Sequence, residues 1–246
     1  MSQADYTADP IEVRTTLGRN LTYGMLDSLG RAIVTGHFEE RSFPTEGELS
    51  KQHGVSRSVT REAVKMLTAK GLLSARPRQG TVVQAKTSWN LFDTDVLRWL
   101  LERKFSIDLL QHFNELRIAI EPEAAALAAK FADDADLASI RSGLNRMASA
   151  ERDRDDPLEA DIDFHVAILR ASRNPFYAQF RDVVTTALRT SIRFTNRLTG
   201  HAASVEDHAA VLDAIIARDP DQARIAMRKI IDDVLVLIAK ADPPAA

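Results

Sequence analysis

The chain has 246 residues, of which 45% are hydrophobic and 27% charged, as expected for a soluble globular protein with two domains. It contains no cysteine, which excludes disulfides and thiolate metal sites, and no apolar run approaches the roughly 18–20 residues that span a bilayer. Because the polar N-terminus also lacks the apolar core of a signal peptide, we expect a cytoplasmic protein.

Charge is unevenly distributed along the chain. Taken over the whole chain, the formal net charge of −3 argues only weakly against nucleic-acid binding, since a DNA-binding domain is often basic. Residues 51–78, however, carry seven Lys or Arg against one acidic residue, Glu62. The acidic residues concentrate in the second half, around 133–136 and 151–163. This asymmetry predicts that one part of the chain contacts phosphate and the other does not.

The N-terminal region begins with a predicted flexible arm over residues 1–19. Apolar residues at helical spacing then predict a helix over 21–35. A short second helix is predicted after Thr45, because the Thr45 side chain and Glu48, three residues on, can form a capping box. Gly54 ends this helix with a tight turn.

A third helix follows that turn, with Ser56 as its N-cap and Gly71 at its end. Two short β-type runs then flank a basic, glycine-containing tip over 76–80, which predicts a hairpin. Two short helices, a tight turn and a hairpin are typical of a winged helix-turn-helix. We therefore predict a DNA-binding domain over 20–85, followed by a linker and connecting helix over 86–104.

The residues predicted to contact DNA lie at the start of the third helix and on the wing, because the second helix of such a motif places its N-terminal residues in the major groove. Arg57 and Arg61 are one turn apart and share a face, and an Arg that pairs with guanine adds about 1–3 kcal/mol of discrimination. A solvated basic face is the plain alternative. The predicted contacts are Ser56, Arg57, Ser58, Thr60, Arg61, Arg78, Gln79 and Gly80.

This region resembles the winged helix of the GntR superfamily over about residues 21–84. The resemblance implies that Arg57, Ser58 and Arg61 are the main base and phosphate contacts, with Gln79 at the wing tip. Position 47 is Gly, where some relatives carry an Arg that contacts DNA, so the operator of a relative does not transfer to this chain. The matching motifs are Pro44-Thr45-Glu46-x-Glu48-Leu49, Val55-Ser56-Arg57-x-x-x-Arg61-Glu62-Ala63, Gly71-Leu72-Leu73 and Arg78-x-Gly80-Thr81-x-Val83.

From residue 93 onward the apolar periodicity is helical throughout. Short connections between the helices predict an antiparallel all-helical bundle over 105–242, and the fold class of the whole chain is therefore mainly α. The predicted helices cover 93–102, 106–131, 133–152, 157–172, 175–198, 204–218 and 221–240.

Arg117 falls on the apolar stripe of the helix over 106–131, where an unpaired charge would be costly. Two interpretations remain open. Arg117 either pairs with Glu121 one turn later, or it binds the carboxylate of a ligand in a bidentate manner.

Three further polar residues are expected to point into the bundle. Asp161 and His165 are four residues apart on one helix face, and His208 lies on the apolar stripe of a later helix. An Asp and two His suit Zn²⁺ or a similar divalent ion. An inward His that is simply hydrogen-bonded in the core is the alternative.

The helical region also resembles the FadR-type ligand-binding domain called FCD, over about residues 107–238. Metal-binding members use an Asp and three His, and the resemblance assigns Asp161, His165 and His208 to three of these four places. Ile230 occupies the place of the third His. Either three protein ligands hold the metal, or the polar residues bind the effector without one. The matching motifs are Glu115-x-Arg117-x-x-x-Glu121, Ala160-Asp161-x-x-Phe164-His165, Asn174-Pro175 and Asp207-His208-x-x-x-Leu212-x-Ala214-Ile215.

The segment from Trp89 to Trp99 resembles the interdomain segment of sugar-acid-responsive members, such as repressors of galactonate catabolism. A sugar acid carries one carboxylate, which Arg117 would bind, and several hydroxyls. Arg189, Arg193 and Asn196 form a polar stripe that would bind the rest, although a solvent-facing stripe is the alternative. The predicted effector site comprises these residues together with Asp161, His165 and His208.

These observations predict a homodimeric, ligand-responsive repressor of double-stranded operator DNA. A small carboxylate is predicted to release it, and the resemblance implies a sugar acid. Two rival hypotheses are an architectural DNA-binding dimer without a ligand, and a metal-dependent enzyme fused to a DNA-binding domain. The enzyme is disfavoured because no general base or nucleophile accompanies the candidate metal residues.

Overall fold

The computed structural model describes residues 10–39, 42–76, 80–103, 107–150, 152, 154–189 and 204–241. The chain divides into two compact units, Met1–Arg103 and Lys104–Ala246. None of the helices in these described ranges combines the length and apolar character needed to cross a membrane. The mainly α fold class is confirmed, with one small β hairpin in the first unit.

In the described residues, the first unit contains three α-helices, a hairpin and a further α-helix. Its core is built from apolar side chains of all these elements, including Leu26, Leu49, Leu67, Leu72 and Trp99. The elements are α1 (Pro10–Val34), α2 (Glu46–His53), α3 (Arg57–Ala69), β1 (Leu73–Arg76), β2 (Gly80–Val83) and α4 (Thr94–Arg103).

The predicted caps of α2 and α3 are present. The Thr45 backbone N–H donates to Glu48 Oε2 at 2.8 Å, and the Glu48 N–H donates to Thr45 Oγ1 at 3.3 Å, which completes the capping box. Gly54 adopts the left-handed conformation, with a φ of 64°, at the end of α2. Ser56 accepts a hydrogen bond from the Val59 N–H and caps α3. Helix, turn and helix therefore follow the order that the sequence predicts.

The structure differs from our prediction at the N-terminus and at α4. The helix α1 begins at Pro10, so the backbone is helical over 10–19 where we predicted a flexible arm, and residues 1–9 lie outside the described part of the chain. The predicted connecting helix, α4, packs against α1 within the first unit. Trp99 Nε1 donates to Asp27 Oδ1 at 2.7 Å, and the Trp99 ring lies against Gly30, whose missing side chain makes room for it.

The second unit is a bundle of helices, as predicted. The helix α5 packs against α7 and α11, α6 packs against α7, and α10 contacts α5, α6 and α11. The helix predicted over 175–198 is divided near Phe180, and its residues 190–198 lie outside the described ranges. The elements are α5 (Ile107–Phe131), α6 (Asp134–Ala150), α7 (Pro157–Ala171), α8 (Pro175–Gln179), α9 (described over 181–189), α10 (Val205–Ile216) and α11 (Pro220–Ala241).

Candidate functional site

A cluster of buried polar side chains occupies the interior of the helical unit. Three helices contribute to it, and each of its residues is at most 4% exposed. The spacing of four residues within α5 and within α7 places pairs of these side chains on one helix face. The cluster consists of Asn114, Arg117 and Glu121 on α5, Asp161 and His165 on α7, and His208 on α10.

Asp161, His165 and His208 meet at one carboxylate oxygen. Asp161 Oδ1 lies 3.0 Å from His208 Nε2 and 3.3 Å from His165 Nε2. One candidate ligand atom from each residue lies within 4.8 Å of the other two. The structure thus brings together the three residues that the sequence proposed as metal ligands.

In both imidazoles Nε2 faces Asp161 and Nδ1 faces away from it. The partners of each ring determine which nitrogen carries the proton and which carries the lone pair. His208 Nδ1 lies 2.7 Å from the Ser204 carbonyl oxygen, which can only accept, so Nδ1 donates. His165 Nδ1 lies 2.6 Å from Glu121 Oε2, although at an angle outside a regular hydrogen bond. His165 Nε2 faces the Arg117 guanidinium at 3.5 Å, and that group can only donate. In a neutral His208 the Nε2 lone pair therefore faces Asp161, and in a neutral His165 the Nε2 lone pair lies between Arg117 and Asp161.

The three inner atoms are thus a carboxylate oxygen and two imidazole lone pairs, all acceptors. Such a set needs either extra protons on the rings or a cation between them. A divalent ion of the Zn²⁺ type prefers this mixture of ligands. The carboxylate of Glu121 and the carbonyl of Ser204 provide the outer partners that orient metal-bound His residues. The residues present therefore fit a metal.

Without a metal, the cluster is held by protons and charge pairs. Burial alone would lower the pKa of His165, but the charge of Glu121 and the hydrogen bond with Asp161 outweigh burial and raise this pKa to about 9. Burial would raise the pKa of Asp161, yet hydrogen bonds from His165 and His208 hold it well below its ordinary value. Burial likewise opposes ionisation of Glu121, whose pKa the charges of Arg117 and His165 lower to about 2.

Arg117 pairs with Glu121, which is one of the two interpretations that the sequence left open. Its Nε donates to Glu121 Oε1 at 2.6 Å, and Nη2 donates to Glu121 Oε2 at 3.3 Å. Its Nη1 donates to Asn114 Oδ1 at 3.1 Å, and Asn114 Nδ2 donates to the Leu110 carbonyl at 2.8 Å. Our sequence analysis missed Asn114, although its place one turn before Arg117 on the same stripe was a usable signal. Binding of an effector by Arg117 stays a prediction.

Among the other predicted effector residues, Arg189 is not part of this cluster. Arg189 is 50% exposed, and its guanidinium binds both oxygens of Glu159 at 3.0 Å, in line with the alternative of a solvent-facing stripe. Arg193 and Asn196 lie outside the described residues. Ile230, at the place of the third His, is buried on α11.

The predicted DNA-contacting face of α3 carries exposed Arg57, Ser58 and Arg61, and exposed Ser56 precedes it as N-cap. Thr60 was predicted wrongly. Its side chain is fully buried, and its Oγ1 donates to the Ser56 carbonyl at 3.2 Å, so it cannot reach DNA.

The position of Thr60 in the core was readable from the sequence, because Ala63, Val64 and Leu67 follow at i+3, i+4 and i+7 and form the buried stripe of α3. On the wing, Gly80 begins β2 with a φ of 78°. Arg78 and Gln79 lie outside the described ranges.

Comparison with known proteins gives matches over both units. Residues 24–83 match the model of the bacterial regulatory proteins, gntR family, and residues 112–233 match the model of the FCD domain. The chain is 35% identical over 208 residues to the uncharacterized HTH-type transcriptional regulator YieP of Escherichia coli K12, with 83% of this chain and 90% of the relative covered. It is also 35% identical over 209 residues to the galactonate operon transcriptional repressor of the same organism, with the same coverage of 83% and 90%.

Among solved structures, Lar of Listeria monocytogenes is 18% identical, with a TM-score of 0.55 over 90% of this chain and 97% of that one. At this identity, the likeness concerns the fold alone.

Proposed function

The chain belongs to the gntR family of bacterial regulatory proteins and carries an FCD domain, and from this membership we propose that it is a homodimeric repressor released from operator DNA by a small carboxylate. Membership makes it a DNA-binding transcription regulator. The observation that carries ligand responsiveness is the buried polar cluster. Burying charged groups is costly, and a domain that only joined two subunits would gain nothing from it.

Asp161, His165 and His208 are proposed to hold one divalent cation, with Zn²⁺ as the ion that best suits two imidazole nitrogens and a carboxylate oxygen. The ion would take the place of the proton that otherwise charges His165. A metal held by three protein ligands keeps open positions that an effector carboxylate can fill, and that is the chemistry the ion would supply.

The net charge of the metal-loaded cluster supports an anionic effector. In a metal-loaded cluster, the carboxylates of Asp161 and Glu121 balance the Arg117 guanidinium and one of the two charges of the ion. One positive charge remains, and in a buried site it favours an anion. Among anions we propose a carboxylate, because the chain is similar to the galactonate operon repressor, and sugar acids are therefore the first to test. Arg193 and Asn196 remain candidates for binding its hydroxyls.

The proposed mechanism is a shift between two arrangements of the dimer. Two recognition helices, α3 of each subunit, bind two half-sites of a palindromic operator, and their spacing must match the DNA. The effector binds more tightly to an arrangement whose α3 helices no longer match the half-sites. Release then follows from that difference in affinity, and an effector with equal affinity for both arrangements would release nothing.

A gel shift tests this proposal, with the full chain, DNA from upstream of its own gene, and a panel of sugar acids that includes galactonate and gluconate. We expect one acid to release the DNA. Asp161→Asn should keep DNA binding and lose release. Asp163→Asn is the matched control, because Asp163 lies on the same helix but is 56% exposed and pairs with Arg146 at the surface. Binding that no carboxylate releases would contradict the repressor mechanism and favour an architectural DNA-binding protein.

Metal binding is tested separately by elemental analysis of untagged protein. We expect one divalent ion per chain in the wild type and in Asp163→Asn, and none in Asp161→Asn. Protein that lacks a metal after treatment with a chelator, and that still responds normally to the effector, would show that the cluster binds the effector without an ion.

A further inference from the structure

We propose that Glu46, the first residue of α2, positions the Arg61 guanidinium for base reading and so contributes to operator specificity. Glu46 was not among the residues predicted to contact DNA. The inference rests on the proposed function, because it takes Arg61 to be a base contact.

The contact between the two residues joins neighbouring helices. Arg61 Nε on α3 donates to Glu46 Oε2 on α2 at 3.4 Å. Both side chains remain accessible, with 62% of Arg61 and 38% of Glu46 exposed. The pair therefore lies on the same exposed surface as the rest of the recognition face, where an incoming DNA duplex can reach it.

Among the described residues, Glu46 is the partner of the Arg61 guanidinium, and the contact is made through Nε. A guanidinium has five N–H donors, and Glu46 engages only the one on Nε. The two terminal nitrogens are the ones that pair with O6 and N7 of guanine in the major groove. A carboxylate on Nε restricts rotation of the planar group, so fewer orientations are lost when the guanine contact forms.

The surroundings of Glu46 leave its carboxylate available for this role. Capping of α2 is done by Thr45 and Glu48, so Glu46 is not needed for it. The next residue, Gly47, has no side chain, and nothing closer than 4.0 Å would meet a Cβ built there. The space beside the Glu46 carboxylate is thus open.

A carboxylate beside DNA repels phosphate, so Glu46 has two opposite effects. It weakens binding to DNA of any sequence, and it sharpens the choice of base at the position that Arg61 reads. Removal of its charge should therefore raise non-specific affinity while lowering discrimination. Loss of structure would instead lower both the non-specific affinity and the discrimination. Higher non-specific affinity together with lower discrimination is therefore specific to a positioning role.

The experiment compares wild-type full chain with Arg61→Ala, Glu46→Gln and Glu62→Gln. Binding-site selection from random duplex DNA first gives the wild-type operator, and the positions at which Arg61→Ala loses its preference identify the base that Arg61 reads. Glu62→Gln is the matched control, since Glu62 is an exposed acid on α3 whose partner is Lys65 at 3.8 Å. Affinities for the operator, for its variant at that base and for unrelated DNA are then measured.

We expect Glu46→Gln to lose about two- to fivefold in discrimination at the Arg61 position, because an exposed ion pair contributes about 1 kcal/mol at most, less than the whole Arg–guanine pair. Affinity for unrelated DNA should rise in both Glu→Gln variants, because each removes one negative charge. Equal discrimination in Glu46→Gln and Glu62→Gln overturns the positioning role and leaves the proposed function intact. Unchanged preferences in Arg61→Ala overturn it too, because Arg61 would then read no base. A wild type that selects no sequence contradicts the proposed function itself.

Discussion

Two glycines in α1 form a matched pair that tests how α4 packs on the DNA-binding unit. Gly24 is exposed, and a Cβ built there would meet no atom within 4 Å. At Gly30 the same atom would lie 2.3 Å from Cη2 and Cζ3 of Trp99. Carbon atoms in contact stand about 3.5–4.0 Å apart. Gly30→Ala must therefore displace an indole ring that is only 1% exposed.

The expected magnitudes follow from these distances. Replacing Gly by Ala within a helix stabilises it by about 0.5–1 kcal/mol, and Gly24→Ala should show this gain. In Gly30→Ala, overpacking costs about 1–3 kcal/mol. Displacement of the ring also weakens the 2.7 Å hydrogen bond from Trp99 to Asp27, and bonds to charged groups contribute about 1.5–3 kcal/mol. We expect Gly30→Ala to lie about 2–5 kcal/mol below Gly24→Ala in unfolding free energy.

Tryptophan fluorescence during urea unfolding measures this difference. The chain has two Trp, and both Trp89 and Trp99 are buried in the first unit, so the signal follows that unit alone. Midpoints convert to free energies when the variants share one slope. Gly30→Ala should also shift the emission of the folded protein to longer wavelength. Equal stability of the two variants, with unchanged emission, would refute the packing of α4 on α1.

Three further predictions concern DNA binding, pH and the packing behind the cluster. Thr60→Val keeps the shape of a buried side chain and should leave operator affinity in a gel-shift titration unchanged, whereas Arg57→Ala should lower it; similar losses in both would contradict the burial of Thr60. The pKa of His165 is raised from 6.5 to about 9, so metal-free protein keeps the stability from this charge in full below pH 6.5 and loses it as the pH rises through 9. Unfolding midpoints of the chelated protein should therefore fall between pH 6.5 and 9. Midpoints of Zn²⁺-saturated protein should not, because a metal-bound His165 must be neutral. The same dependence of the midpoint on pH in both forms would contradict this. Gly143→Ala would place a methyl 2.9 Å from the Phe164 backbone, next to His165, and should weaken metal affinity in equilibrium dialysis, so unaltered affinity would count against that close packing.

The sequence by itself determined the features that lie within one or two helical turns. The capping box of Thr45 and Glu48 and the αL turn at Gly54 depend on backbone geometry over a few residues, so their residue types and spacing suffice to predict them. The same holds for the shared faces of Arg117 with Glu121 and of Asp161 with His165, because side chains four apart in a helix are always neighbours.

Only the tertiary structure decided what those faces meet. His208 reaches Asp161 across 47 residues of chain, and Arg61 reaches Glu46 on another helix. Arg189, which a sequence pattern could place in the ligand site or at the surface, pairs with Glu159 at the surface. Burial depends on which helix covers a face, and the free energy that selects the covering helix is summed over the whole core. Local spacing therefore fixes which side chains share a face, while packing between distant segments fixes which of those faces becomes a site.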